Sequence, residues 1–380
     1  MSSTKQNNPK RSAFSFAAID SYVETNMVYP TEKVMAGKDM VEWGTRNAYP
    51  DYLLDLYNNV PTLRSIVNGN IDYVAGDDVT IKPLQAEFIN QEMNKRGDSI
   101  REQVRDIAKD FEIYGGFALQ VIRNFAGEVA EIYYIDMRFL RTNKEGNVFY
   151  YSEKWNNGRN NVVVYPAFMP NLEWDKLTDE ERNRHASSIL FVKNVHTQVY
   201  PAPLYAASVR ACEIERQIDE FHLADINNHF VSSAIINFNN GDPGQEMKEE
   251  IEQNLNEKFA GARNGGRIMC SWNKNKESAT DIVEFKVEDF GERYKALSQH
   301  SRTQIFTAFR AIPLLFGLIS EANTGFSTEE FEQSFKLYNR TQIQPVQRLI
   351  CDAYDKIYGQ RGVMTIKPFS MSGENEDNVN

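Results

Sequence analysis

Leu204, Ala207, Ala211, Ile214, Ile218 and Phe221 recur at spacings of three and four, and no Gly or Pro interrupts the chain from Leu204 to Phe230. This spacing predicts a long helix with a narrow apolar seam, suited to packing against a neighbouring helix. At 1.5 Å per residue it would run roughly 40 Å, about the span of a small domain. A second long helix is predicted from about Asp289 to Phe309, with Tyr294, Leu297, Ile305, Phe309 and Ile312 on its apolar side. It closes at Ala311-Ile312-Pro313-Leu314-Leu315-Phe316-Gly317. Two rods of this kind limit the fold strongly. Joined by a compact insert, they most simply lie side by side with the insert at their far end.

The insert reads as small β and α pieces. VSSAIINFNN is β-prone and is closed by the turn residues Asn239, Asn240, Gly241, Asp242 and Pro243. QEMKEEIEQNLNEKFAG places Met247, Ile251, Leu255 and Phe259 four apart on an acidic helix that Gly261 ends. Arg267 to Trp272 and Ile282 to Val287 read as two further strands.

The first two hundred residues predict a mixed α+β unit. Tyr49 to Asn70 is helical, with Pro61 opening a second helix. Val79-Thr80-Ile81 is a strand, and Ser99 to Tyr114 is a helix with Ile100, Val104, Ile107 and Phe111 on one side. Gly115-Gly116 breaks that helix, and strands follow at Phe117–Ile122 and Val129–Ile135, then near Val148–Glu153, Val162–Tyr165 and Ile189–Val195. The double glycine lacks the GxxxxGK[ST] pattern of a phosphate cradle and reads as a turn that needs small residues. Met1 to about Asp20 carries Lys5, Lys10 and Arg11 and no acid before Asp20, which predicts a mobile arm. Beyond Gly317, Ser327 and Glu330 form an S-x-x-E capping signature for a helix running from Thr328 towards Tyr358. Pro345 predicts a kink near Thr341 to Gln344. Val363 to Ile366 is a last short strand, and Met371 to Asn380 an acidic tail.

Charge and motif content narrow the functions. The chain has 42 basic against 53 acidic residues, a net charge of −11, which argues against tight gripping of nucleic acid by the subunit alone. Its three cysteines form no CxxC pair, so neither a zinc site nor a disulfide framework is expected. The longest apolar run, Ala311 to Ile319, falls far short of the roughly twenty residues of a membrane helix. No Walker A loop, HExxH or GxSxG motif occurs. His222 and His229 share one helix seven apart, which is not metal-ligand spacing. No catalytic residue, metal site or cofactor is predicted.

The order of these pieces resembles the stem–clip–stem unit of portal proteins from tailed double-stranded DNA bacteriophages. The resemblance is carried by PLYAA opening the first long helix and NNHFVSSAII at its end, then the acidic helix, the GARNGG turn, and the closing SRTQIFTAFRAIPLLFG. YGGFALQVIRN…GEVAEIYYIDMRFLR also resembles the family's helix–Gly–hairpin, followed here by Asp136-Met137-Arg138, and the likeness reaches from about Tyr49 to Tyr358.

The resemblance implies a portal-like α+β fold. Residues 21–202 would be a wing, 203–231 and 288–312 two stem helices, and 232–287 a clip between them. Residues 313–327 would hold a channel loop and 328–360 a long kinked helix, with 1–20 and 361–380 as arm and short tail; a full crown is not expected. It also implies a ring, usually of twelve copies, at one capsid vertex. Its partners would be the terminase large subunit, the major capsid protein or a scaffold, the head–tail connector, and duplex DNA passing without sequence specificity. Under that reading Glu213, Glu215, Asp219, Glu220, Asp225, Glu288, Asp289 and Glu292 are candidates to line the channel, and Glu321, Ala322, Asn323 and Thr324 to form its loop. The seam from Leu204 to Phe221 would pack between stems. Two other readings stay open on the residues alone: an intracellular α+β enzyme with a helical hairpin, or another ring-forming virion connector.

Overall fold

The structure is a computed structural model. It describes residues 28–35, 39–82, 92–155, 161–195, 197–227, 234–238, 268–272, 290–317 and 327–370, with isolated positions between 244 and 251. Two short strands, β1 (Glu32–Val34) and β2 (Val41–Trp43), pair antiparallel ahead of the first helix. Neither is signalled by the periodicity of the sequence. Helices α1 (Tyr49–Asn59) and α2 (Pro61–Ala75) follow as expected. Val60 is held extended by the proline behind it, and Pro61 opens α2 where its missing N–H costs nothing.

Strand β3 (Asp78–Ile81) leads to α3 (Ile100–Tyr114). Ser99 caps α3 reciprocally: its Oγ accepts from the Glu102 amide at 3.2 Å, and its own amide donates to Glu102 Oε2 at 2.8 Å. Ser99→Ala removes one half of this box and is expected to cost about 1 kcal/mol of unfolding free energy, read as a lower urea midpoint at unchanged slope.

α3 stops at Gly115, whose φ is +83°. A Cβ there would lie 1.9 Å from the Ala202 carbonyl oxygen, so only glycine fits. The small-residue reading of Gly115-Gly116 is therefore met. Asn194 fastens the same corner, donating from Nδ2 to the Ala202 carbonyl at 2.8 Å and from its amide to the Gly115 carbonyl at 2.9 Å. This corner fixes where the chain enters its first long helix.

β4 (Gly116–Arg123) is the centre of an antiparallel sheet between β5 (Val129–Ile135) and β9 (Ser187–Lys193). β6 (Leu140–Thr142), β7 (Val148–Tyr151) and β8 (Val163–Pro166) form a second antiparallel sheet. A short helix, α4 (Asp179–His185), lies between β8 and β9. The core is one continuous cluster in which Leu53, Leu56, Leu63, Ile66 and Val67 of the first two helices join Val104 and Ile107 of α3 and Phe117 and Leu119 of β4.

The two long helices are α5 (Val209–Asn227) and α6 (Phe290–Phe309). α5 begins five residues later than the expected Leu204. A bend at Leu204-Tyr205 and a 3-10 turn, Ala206–Ser208, come first, because the Gly115–Asn194–Ala202 corner and the prolines at 201 and 203 turn the chain before it can wind. Between the rods, β10 (Ala234–Phe238) and β11 (Ile268–Trp272) pair in parallel, residue 234 opposite 268. The rest of the expected insert, including the acidic helix and the strand Ile282 to Val287, lies mainly outside the described residues, as do the arm at 1–20 and the tail at 371–380.

The last part winds as α7 (Thr328–Tyr338), a π turn (Asn339–Ile343) and α8 (Gln344–Tyr358), ending in β12 (Met364–Lys367), which pairs with β3. Pro345 sits in the first turn of α8, and the expected kink takes the form of the wide turn just before it. Ser327 Oγ accepts from the Glu330 amide at 3.1 Å at the start of α7. The α+β character is borne out. The wing, stem and clip boundaries remain expectations.

Candidate site at the root of the helical hairpin

Three contacts run in reverse order along α5 and α6 and make them an antiparallel pair. Tyr205, just before α5, stacks on Phe309 with centroids 5.2 Å apart. Ser208 Oγ donates to the Gln304 carbonyl at 2.9 Å. Phe221 stacks on Tyr294 at 5.0 Å.

The predicted seam divides. Ala211 and Ile218 are buried, together with Val209 and Cys212. Ala207 is exposed, and so are Leu204, Ile214 and Phe221, at 40%, 36% and 47%. Within the subunit the seam is thus covered at two of its six positions, because α5 lies over α1, α2 and α6 and presents only one edge to them. The exposed part continues in Leu223 on α5 and Leu297 on α6.

The acidic residues divide too. Glu213 and Glu215 are buried, at 3% and 5% exposure, so as placed in the subunit they do not line a channel. Burying a carboxylate without partners is costly, and each has found donors on other elements. Glu213 Oε1 accepts from Arg216 Nη2 at 2.6 Å and from Gln217 Nε2 at 2.9 Å, while Tyr52 of α1 donates to its Oε2 at 3.4 Å. Glu215 Oε1 accepts from Thr62 Oγ1 of α2 at 2.7 Å. Its second oxygen has no partner among the described residues. Burial accordingly pushes the Glu215 carboxyl above its usual range.

Arg216 ties the cluster together, lying 3.5 Å from Asp55 of α1 and 3.5 Å from Glu220. Its hydrogen bond to Glu213 raises its own pKa further. The group forms a polar clamp fastening the root of α5 to α1 and α2.

Of the other channel candidates, Asp219 and Glu220 are exposed on α5. Asp225 and Glu292 lie in α5 and α6 with side chains outside the described set, and Glu288, Asp289 and the loop candidates Glu321, Ala322, Asn323 and Thr324 lie outside the described residues. Tyr52 and Thr62, which hold the buried glutamates, had no local signal in the sequence. Their role depends on contacts across 161 and 153 residues. Among the described residues no three His, Cys, Asp or Glu side chains group as metal ligands, and no helix is long and apolar enough to cross a membrane.

No family model and no curated protein sequence matches the chain. Solved structures do. A chain from the neck of an empty gene transfer agent particle, computed with C6 symmetry, aligns over 83% of both chains at 15% identity and a TM-score of 0.50. One from the virion of the native particle aligns over the same shares at 15% identity and 0.49. An HK97-family phage portal protein from Corynebacterium diphtheriae aligns over 83% of this chain and 93% of its own, at 9% identity and 0.47. At these identities the likeness is one of fold. The fold is thus similar to that of a chain in a gene transfer agent neck.

Proposed function

We propose that the chain is a portal-type subunit: a structural protein of a virion that closes into a ring with copies of itself and serves as a conduit for DNA. One observation carries this reading. The α5–α6 pair is clamped to the body at one end, yet it leaves an apolar edge, Ile214, Phe221, Leu223 and Leu297, exposed. A monomer gains nothing by leaving such an edge uncovered, and a neighbour rotated about a common axis would cover it. The fold likeness to a chain of a gene transfer agent neck supports the same reading.

A conduit must hold a duplex without gripping its phosphates, and an acidic wall does this by repulsion. Asp219 and Glu220 are the described candidates for that wall, with Asp225, Glu288, Asp289 and Glu292 beside them in the sequence. Glu213 and Glu215 are reassigned from the wall to the clamp. The insert at residues 232–287 is proposed to dock the terminase large subunit during packaging and the head–tail connector afterwards. The wing would face the major capsid protein or scaffold.

Light scattering and negative-stain imaging of the purified full chain test this. Annular particles of uniform diameter, with a mass that is a multiple of 43.7 kDa, are expected. Compact monomers at every concentration and ionic strength would refute it.

A further inference from the structure

Phe125 stands at the tip of the β4–β5 hairpin with its side chain fully exposed, at 101%. Its whole apolar surface is available to a partner. The tip around it is also held rigid. Asn124 Oδ1 accepts from the amides of Ala126 at 3.0 Å and Glu128 at 2.9 Å. Arg123 Nη1 donates to the Gly127 carbonyl at 2.7 Å, and Trp174 Nε1 donates to the Phe125 carbonyl at 3.0 Å. Gly127, at φ +85°, lies so close to Trp174 that a Cβ would come within 2.4 Å of its ring. Little conformational freedom is left for the tip to lose on binding.

A matching hole exists on the same chain. A cavity of about 370 Å³ is lined by Met35, Met40, Tyr150, Trp155, Val162 and Val164, with Asp39 and Asn47 as its polar members. Its wall is mostly apolar, and Val164 is 57% exposed at it. The Trp155 indole N–H is buried and has no acceptor among the described residues. The cavity thus has room for an apolar side chain that arrives on a rigid turn, which Phe125 offers.

The tip cannot reach its own hole. Val164 pairs with Tyr150, and Tyr150 with Arg141, in the sheet that begins just past the base of the hairpin. Arg141 in turn lies 5.0 Å from the Trp155 ring. The tip stands at the other end of β4, whose eight residues span about 26 Å at roughly 3.3 Å each.

We propose that Phe125 of one subunit inserts into this cavity on the next copy of the chain. The contact joins two different patches of identical subunits, the heterologous geometry that closes a ring. It rests on the ring reading above and adds a residue-level contact between neighbouring bodies, separate from the exposed seam of α5 and α6.

The test uses full-length chains. Phe125→Cys and Val164→Cys variants are purified separately, mixed, and oxidised. A disulfide-linked dimer is expected in the mixture and in neither variant alone, which controls for the native thiols. The double variant is expected to give a ladder of higher multimers. Phe125→Ala, harmless to folding because the side chain touches nothing, is expected to lower the fraction in rings about tenfold or more at equal concentration. Absence of the mixture-specific dimer overturns the proposal. If the wild type still forms rings, and Phe125→Ala does so equally well, only this contact is wrong. If the wild type forms no ring and no cross-link appears, the ring reading falls with it.

Discussion

Arg141→Met is expected to destabilise the protein by about 3–5 kcal/mol, and Arg141→Lys by most of that, although lysine keeps the charge. Arg141 is 1% exposed and makes no salt bridge among the described residues. Its guanidinium is satisfied by oxygen atoms alone. Nε donates to Asn47 Oδ1 at 2.9 Å and Nη2 to the Asn47 carbonyl at 2.9 Å, while Nη1 donates to the carbonyls of Arg138 at 2.8 Å and Leu140 at 2.7 Å. The charge also sits over the rings of Trp155, at 5.0 Å, and Trp43, at 5.8 Å. Removing it leaves several buried acceptors without donors, each a desolvation penalty of about 1–3 kcal/mol. A lysine ammonium cannot span that fork. Burial lowers the Arg141 pKa to about 10, so the side chain stays charged through neutral pH and the loss should be the same at pH 5 and pH 8. Urea unfolding measures it, and near-ultraviolet circular dichroism should lose the signal of the Trp43–Tyr200 stack, whose rings lie 4.6 Å apart. A midpoint within about 0.5 kcal/mol of wild type would show that the carbonyl cage is not needed.

That cage illustrates what the sequence could not convey. Asn47 sits in a 3-10 turn at φ +60°, and its Oδ1 also takes the Trp43 amide at 2.8 Å. It meets Arg141 across 94 residues. No spacing rule joins two such positions, because the pairing is created by tertiary packing. The helices were legible for the opposite reason. α1, α2, α3 and α8 each write their burial into a local repeat and mark their ends with Pro61, Ser99, Gly115 or Pro345.

The long helix α5 was legible as a helix and misread at its faces. Its apolar seam and its acids looked separable, yet Glu213 and Glu215 are buried while Ile214 and Phe221 are exposed. A charged residue reads as solvent-facing unless its partners are known, and here the partners are Tyr52, Thr62 and Arg216. Which seam residues stay exposed was not legible, since a seam facing a second copy and a seam facing the core have the same spacing.

Glu112→Gln is expected to remove much of the pH dependence of stability between pH 5 and pH 7 and to make the protein more stable than wild type at pH 8. Glu112 is 2% exposed on α3. Its Oε2 accepts from Asn70 Nδ2 of α2 at 2.8 Å, and Tyr338 of α7 donates to Asn70 Oδ1 at 2.7 Å, so one carboxyl closes a chain through three helices. Burial raises its pKa to about 7, and the single Asn70 hydrogen bond only partly opposes that. The folded state therefore holds a proton that the unfolded state releases near pH 4.5. Below that pH both states are protonated and no penalty exists. From there to about pH 7 the folded state binds more protons, so stability falls as pH rises, by about 1.4 kcal/mol per pH unit at most. Above pH 7 the full cost, about 3 kcal/mol, is present. Glutamine keeps an oxygen for Asn70 and cannot ionise, so it stays on the low-pH branch throughout. Asp110 and Glu215 are also raised by burial and bend both proteins' curves the same way, so the difference between wild type and variant isolates Glu112. Urea midpoints at pH 5, 6, 7 and 8 should diverge steadily towards the alkaline end, with the variant above. Parallel curves would mean that Glu112 is ionised in the fold at all these values, and that the Asn70–Tyr338 chain compensates its charge far better than one hydrogen bond can.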